Sequence, residues 1–229
     1  MKKAGLIGGM GPESTIPYYH DIVYGVHKRC GSFPELTIES VNVFRVLQLC
    51  SEQKYDEMTE YLMKAINNLA SCGADFAALT ANTPHIVFDR LKERSPIPLI
   101  SIIEATLEDS KKRGYNRLAL FGTIFTMTGE FYRKPFTDNG IEIIIPTGSE
   151  MQFINEKIST ELELGIKRSD TLASLQKITA RMKTENKAEA VILGCTELPL
   201  ILDDSVSLLP CLDTMKIHID AIVNAITEK

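Results

Sequence analysis

Cys195 is the residue whose type and position best suit chemistry. It follows the apolar run 190–193 and Gly194, and it precedes Thr196-Glu197-Leu198-Pro199, which is typical of a helix cap and first turn. The positive end of a helix lowers the pKa of a thiol from its usual value of about 8.5. The sequence therefore predicts a thiolate base or nucleophile at Cys195, with Glu197 beside it, the alternative being a buried structural cysteine. The remaining cysteines are predicted to be packing residues: Cys30, Cys50, Cys72 and Cys211.

A second turn with the same layout lies at Asn82-Thr83-Pro84-His85. Thr83 is predicted to cap a helix whose first residue is Pro84, because the missing N–H of proline is harmless there. The free amides of such a turn suit a carboxylate ligand. His85 is predicted either to touch the site or to be a satisfied histidine beside it.

Two further segments offer donors. Thr123, after Gly122, and Thr126 can add hydroxyl and amide groups, although simple capping explains each threonine alone. Gly8-Gly9-Met10-Gly11 lacks the spacing of a dinucleotide fingerprint and the lysine of a phosphate loop. Such a turn lets backbone amides approach a small anion, and a carboxylate fits better than a nucleotide.

The elements that must position these turns alternate between strand and helix. An apolar strand at 4–7, a helix at 14–29, a helix at 58–71 and a strand at 74–80 are predicted from the patterns of apolar residues and glycine. This order is typical of α/β proteins with parallel sheets.

The chain also resembles itself at an offset of 114 residues. Leu6-Ile7-Gly8-Gly9 falls on Leu120-Phe121-Gly122-Thr123, and 74–79 falls on 188–193. Chance similarity between strands is the alternative, but several matches at one offset favour a duplication. We therefore predict two pseudo-symmetric Rossmann-like α/β domains, each with a mainly parallel sheet, and an active site in the inter-domain cleft where positions 81 and 195 face each other. The first domain is predicted at 1–98 plus 211–229 and the second at 99–210.

Composition narrows the class of protein. The chain has 229 residues, 44% of them apolar, and a net charge of −5 from 25 basic and 30 acidic residues, which argues against a nucleic-acid partner. No apolar run is long enough for a membrane helix, and the N-terminal residues lack a signal-peptide core, so a cytoplasmic protein without a membrane partner is expected. Neither disulfides nor a metal site are expected from the cysteine and histidine spacing.

Four motifs together resemble the aspartate/glutamate racemase family: Gly5 to Thr15, Asn82-Thr83, Gly122-Thr123 and Gly194-Cys195-Thr196-Glu197. The resemblance covers the whole chain. It implies a racemase that uses no pyridoxal phosphate or other cofactor, in which one cysteine from each domain removes or returns the α-proton of a small amino acid. It also implies a homodimer.

The resemblance assigns roles to individual residues. Cys195 matches the second catalytic cysteine, and Glu197 matches the acidic residue that flanks it. Arg45 and Lys167 are the nearest matches to the residues that hold a distal carboxylate, surface charges being the alternative for both. Positions that hold the α-carboxylate and amine are matched by Met10, Asn82, Thr83, Thr123 and Thr196.

One position departs from the family pattern. The first catalytic cysteine is replaced by Ala81, which cannot carry a proton. Thr80 is adjacent, but consecutive strand residues point to opposite faces. We therefore expect Cys195 to serve one face of the substrate and Thr80, Thr83, His85 or a water to serve the other. The sequence predicts a racemase of aspartate or glutamate, the alternatives being a single-thiol enzyme of the maleate isomerase or decarboxylase type and a degenerate racemase that only binds a small acid.

Overall fold

The computed structural model describes residues 1–228, with the side chains of Pro12 and Glu13 excepted, and divides into two compact units. The first unit comprises residues 1–102 and the C-terminal residues from His218 onward, and the second comprises Ile103–Ile217. The first unit contains these elements: β1 (Ala4–Gly8), α1 (Pro12–Cys30), β2 (Leu36–Ser40), α2 (Val43–Ser51), α3 (Tyr55–Ser71), β3 (Phe76–Leu79), α4 (Phe88–Arg94) and β4 (Leu99–Ile100).

The second unit begins within α5 and ends within α10. Its helices and strands are α5 (Ile102–Lys112), β5 (Arg117–Gly122), α6 (Ile124–Thr128), α7 (Glu130–Thr137), β6 (Glu142–Ile144), α8 (Gly148–Thr160), α9 (Ser169–Thr184), β7 (Ala190–Gly194), β8 (Cys211–Asp213) and the first residues of α10 (Thr214–Thr227). Short 3-10 helices lie at Thr83–Val87, Leu162–Leu164 and Leu198–Leu200.

The first sheet is parallel, with strand order β2-β1-β3-β4. β1 and β3 are apolar throughout and fully buried, as expected for strands covered on both faces. Helix α3 packs against this sheet because Leu62, Ile66 and Leu69 recur at helical spacing and are completely buried. A Cβ atom at Gly5 would lie 3.1 Å from the Leu69 side chain, so glycine permits this close approach of helix to strand.

The second sheet repeats this topology, with strand order β6-β5-β7-β8. Its central register also repeats that of the first sheet. Leu6 pairs with Ala78 in the first sheet and Leu120 pairs with Ile192 in the second, so both partners shift by the offset of 114 residues found in the sequence. The predicted fold class, two similar α/β units with parallel sheets, is confirmed.

The predicted boundary at 210/211 differs from the division in the structure. β8 forms the edge of the second sheet by pairing with β7, so Cys211–Asp213 lies with the second unit, which continues to Ile217. The boundary predicted at 98/99 lies at 102/103, because β4 pairs with β3 and must stay with the first sheet. The fourth strand of each sheet thus leads into a helix that belongs mainly to the other unit.

No helix within residues 1–228 is both long enough and apolar enough to cross a membrane.

Candidate active site

In the second unit, two strand ends meet where the predicted donors lie. Gly122 at the end of β5 pairs with Gly194 at the end of β7. A Cβ atom at Gly194 would lie 2.9 Å from the Phe121 carbonyl oxygen and would collide with it, and one at Gly122 would lie 3.0 Å from the Gly194 carbonyl oxygen, a tight contact. The two glycines therefore allow Thr123 and Cys195 to leave the sheet side by side.

The Cys195 side chain forms a close pair with Glu197. The thiol donates to Glu197 Oε2 over an Sγ–Oε2 distance of 2.9 Å, and the Thr196 hydroxyl donates to the same oxygen at 3.0 Å. All three residues are buried, Cys195 being 8% exposed. Two donors on one carboxylate oxygen hold the acidic group in place against the sulfur.

The predicted lowering of the Cys195 pKa is wrong. Burial, followed by the negative charge of Glu197, raises the pKa of the thiol well above its ordinary value. The expected helix is only the three-residue 3-10 helix Leu198–Leu200, whose few peptide dipoles cannot offset these two effects. In the resting protein the sulfur therefore carries its proton, and that proton lies in a hydrogen bond to a carboxylate.

Glu163 is a site residue that sequence reasoning missed. It lies in the 3-10 helix Leu162–Leu164 and is exposed, and partial desolvation followed by the negative charge of Glu197 raises the pKa of its carboxyl group. It also contributes to the raised pKa of Cys195. The surroundings of the thiol are therefore more acidic than Glu197 alone would make them. No local motif marks Glu163, because its electrostatic partner Glu197 is distant in the sequence.

Thr123 and Thr126 form the cap of α6. The Thr123 hydroxyl accepts from the Thr126 N–H at 3.3 Å, so the capping role is observed. The N–H of Ile124 donates to Asn155 Oδ1 on α8 at 2.8 Å, a partner that sequence reasoning missed. At least two amides of this turn already have protein acceptors, so fewer are left for a carboxylate than predicted.

In the first unit, Thr80 is held inside the protein. It is completely buried, and its hydroxyl donates to the Ile7 carbonyl oxygen at 3.1 Å. The Thr80 N–H donates to the same oxygen, also at 3.1 Å. Its hydroxyl proton is thus directed to the backbone of β1, which argues against the predicted role of Thr80 in proton transfer. Ala81, the next residue, is partly exposed.

The turn after Ala81 is tighter than predicted. Thr83–Val87 is a 3-10 helix, and its N-cap is Asn82, where Thr83 was expected. Pro84 lies in the first turn, as predicted. Asn82 and Thr83 are both buried, with 3% and 8% of their surfaces exposed.

His85 lies beneath this turn. Its Nδ1 lies 3.0 Å from the Ala81 carbonyl oxygen, its Nε2 accepts from the Ile102 N–H at 3.3 Å, and its ring stacks on Phe88 at 4.8 Å between centroids. Burial, followed by the nearby His218, lowers the pKa of His85 to about 3. Both ring nitrogens are engaged with protein backbone, which argues against the predicted contact between His85 and substrate.

The glycine turn at 8–11 follows β1. Gly9 has a φ of 79°, and a Cβ atom there would lie 2.3 Å from the Val41 carbonyl oxygen, so no other residue fits. The Gly9 N–H donates to Thr15 Oγ1 at 3.1 Å and is therefore not available for the predicted anion. Met10 is buried, with 6% of its surface exposed.

The remaining predicted residues are charges or thiols on the surface. Arg45 on α2 forms an exposed ion pair with Glu57 at 3.5 Å. Lys167 is exposed in the segment between the 3-10 helix Leu162–Leu164 and α9. Cys30 and Cys72 are exposed as well, so their interpretation as packing residues is wrong; Cys30 is the last residue of α1, and Cys72 directly follows α3.

Comparison with known proteins identifies the family of this chain. The family described as Asp/Glu/Hydantoin racemase matches residues 7–222. A relative from Bacillus subtilis (strain 168), the broad specificity amino-acid racemase RacX, is 25% identical over 219 residues, which are 92% of this chain and 92% of the relative. The crystal structure of an aspartate racemase homologue from Pyrococcus horikoshii OT3 is 34% identical, has a TM-score of 0.84 and is covered completely, as is this chain.

An aspartate racemase from Picrophilus torridus shares the fold, with a TM-score of 0.79 over 100% of this chain and 96% of that one, at 19% identity. The chain belongs to the Asp/Glu/hydantoin racemase family.

Proposed function

We propose that this protein is an amino-acid racemase that works without pyridoxal phosphate and uses Cys195 as its acid and base. The substrate we propose is a small acidic amino acid, aspartate or glutamate. The observation that carries the proposal is the hydrogen bond from the Cys195 thiol to Glu197 at the end of β7. The names of the relatives support the activity, and one of them has broad specificity, so the assay must include other amino acids.

The raised pKa of Cys195 gives the thiol a definite role in each direction. As an acid, the resting thiol gives its proton to the α-carbon. As a base, it must first lose that proton; we propose that Glu197 Oε2, to which the thiol donates at 2.9 Å, takes it and leaves a thiolate and a carboxylic acid. The thiolate then takes the α-proton, and the electron pair of the C–H bond remains on the substrate as a carbanion conjugated with its carboxylate.

The carbanion requires donors directed at the substrate carboxylate in a site that excludes water. We propose the turns that begin at Met10, Asn82, Thr123 and Thr196 for this role. The amides of Gly9 and Ile124 are excluded from it, because they already donate to protein oxygens.

The proton on the opposite face must come from a group other than Cys195. Ala81 has no proton to give, the Thr80 hydroxyl donates to the backbone, and both nitrogens of His85 are engaged. We therefore propose Thr83 or a water for this face. A hydroxyl without an activating base transfers protons slowly, so slow or one-directional turnover is expected.

These same contacts favour a second candidate. A single-thiol enzyme, of the maleate isomerase or decarboxylase type, needs no proton carrier opposite Cys195. The absence of a titratable side chain at position 81 is the observation that favours it.

The test is proton exchange in heavy water. Each enantiomer of aspartate, of glutamate and of a panel of neutral and basic amino acids is incubated with the protein, and α-deuterium and optical inversion are followed by NMR. Exchange with inversion is the expected result. Exchange without inversion contradicts racemisation and indicates chemistry on one face, and conversion of maleate to fumarate supports the second candidate. Binding with neither reaction would favour a small-acid binding protein.

The matched controls are two cysteine variants in the same unit. Cys195→Ala should abolish exchange. Cys211→Ala removes another buried thiol, on β8, whose pKa is raised to about 11 by burial, and it should leave exchange unchanged. Equal loss in both variants would mean that a folding defect, and not a missing acid and base, caused the effect.

A further inference from the structure

Two buried histidines of the first unit both form hydrogen bonds with the backbone segment 100–102. The Tyr18 hydroxyl on α1 lies 2.7 Å from Nδ1 of His218 on α10, and Nε2 of His218 lies 3.1 Å from the Ile100 carbonyl oxygen at the end of β4. Two residues further along the chain, the Ile102 N–H donates to His85. The other ring nitrogen of His85 contacts the Ala81 carbonyl oxygen.

The backbone partners fix which nitrogen of each ring carries the proton. A carbonyl oxygen can only accept, so His218 carries its proton on Nε2 and accepts from Tyr18 through Nδ1. An amide N–H can only donate, so His85 accepts at Nε2 and carries its proton on Nδ1, which donates to the Ala81 carbonyl oxygen. The two histidines therefore hold opposite tautomers, and both are neutral.

Burial prevents either ring from exchanging these contacts. Tyr18 and His218 are completely buried, and His85 is 2% exposed and stacked on Phe88 with an interplanar angle of 13°. Flipping the His85 ring would remove its proton donor from the Ala81 carbonyl oxygen and disrupt its bond from the Ile102 amide. The orientation of His85 is consequently set by the segment 100–102, which His218 holds from the other side.

We propose that His85 is a positioning residue for the turn Ala81-Asn82-Thr83 and that the Tyr18–His218 pair extends this support to the C-terminal helix. The carbonyl and amide of a trans peptide point in opposite directions. Holding the Ala81 carbonyl toward His85 therefore directs the following Asn82 N–H away from the imidazole, toward the outer side of the turn. This inference rests on the proposed function, in which that turn binds the substrate carboxylate.

The wild-type protein provides the first test. ¹⁵N chemical shifts of the histidine rings at pH 7 should show His85 as the Nδ1–H tautomer and His218 as the Nε2–H tautomer. A His85 ring in the Nε2–H or charged form would overturn the proposal. This measurement does not depend on any activity, so it separates a failure of the positioning role from a failure of the proposed racemase.

Two variants of His85 test the link to substrate binding. His85→Asn places an amide donor near the position of Nδ1 and can keep the bond to the Ala81 carbonyl oxygen, whereas His85→Gln places its amide group near Nε2 and loses that bond. For the substrate identified by the exchange assay, we expect KM to rise about tenfold in His85→Gln. The value of kcat should change by less than about twofold, because the lost bond positions backbone groups of the binding turn and leaves the Cys195–Glu197 pair unchanged.

His85→Asn should restore KM to within about threefold of the wild-type value. Hydrogen–deuterium exchange of the segment 81–83 should be faster in His85→Gln than in His85→Asn, and this readout applies even if no substrate is found. Exposed His20→Gln is the control and should change neither measurement. Equal KM values and equal exchange in the two His85 variants would overturn the proposal.

Discussion

The two buried histidines should make the protein sensitive to mild acid. Their pKa values lie at about 3 for His85 and about 4 for His218, each lowered mainly by burial from a usual value of 6.5. The unfolded chain binds a proton at each histidine below pH 6.5, and the folded protein does not until far lower pH. Stability is therefore complete above pH 6.5 and is lost as the pH falls from 6.5 toward 4 and 3.

The size of the stability loss follows from the width of the pH range between the unfolded and folded pKa values. Each pH unit within it removes about 1.4 kcal/mol per histidine, so at pH 5 each site removes about 2 kcal/mol and the two together about 4 kcal/mol. A protein of this kind is typically stable by about 5 to 15 kcal/mol in total, so the loss should be easy to measure. The assay is urea unfolding followed by circular dichroism at several pH values between 7.5 and 5.

Two variants distinguish the contribution of the histidines to the pH dependence of stability from that of other titrating groups. His218→Gln can keep an amide donor near the Ile100 carbonyl oxygen and removes one titrating site, so the loss between pH 7 and 5 should fall by about half. Glu163, whose pKa is raised, would act with the opposite sign, and Glu163→Gln measures its share. A wild-type unfolding free energy that changes by less than about 1 kcal/mol over this range would refute the reasoning, as would a His218→Gln variant with the wild-type pH dependence.

Three further outcomes are expected. Ala81→Cys supplies the missing proton carrier and should raise the rate of inversion about a hundredfold in the heavy-water assay, whereas an unchanged rate would mean that position 81 does not reach the substrate. Glu197→Gln removes the negative charge beside Cys195, so the pKa of the thiol, followed by ultraviolet absorbance, should fall, and the rate of exchange should fall at least about tenfold. A thiol pKa that stays the same or rises would contradict the effect assigned to the charge of Glu197. Gly9→Ala should lower the unfolding free energy by more than about 2 kcal/mol, because φ is positive and a carbonyl oxygen blocks the new Cβ atom. Gly31→Ala is the control, since φ is positive but the space is open, and it should lower the unfolding free energy by only about 1 kcal/mol. Equal losses of unfolding free energy in the two variants would refute the steric argument.

The sequence predicted the architecture well because its signals are local. Buried strands that end in glycine, and a repeat of 114 residues, follow from apolar runs that need no knowledge of distant contacts. The paired registers of Leu6 with Ala78 and of Leu120 with Ile192 show that the repeat in sequence is a repeat in structure.

The electrostatics of the site could not be predicted in the same way. Whether a thiol is acidic depends on its burial and on charges that packing brings near it, and the turn containing Glu163 is distant from Cys195 in sequence. The same limit applies to His85. Its partner Ile102 lies 17 residues away, and His218 lies at the far end of the chain, so local sequence could not distinguish a ligand-binding histidine from a supporting one.

The helices that follow β4 and β8 each belong mainly to the other unit, so the chain cannot be divided into its two units by one cut. Two peptide connections, at 102/103 and at 217/218, join the units, so a single cleavage cannot release either one intact. A fragment ending at residue 102 would lack His218, the partner of Tyr18, and Val223, whose side chain fits closely against Gly25. Such a fragment would expose apolar surface, so residues 1–102 cannot complete their packing until α10 has been synthesised.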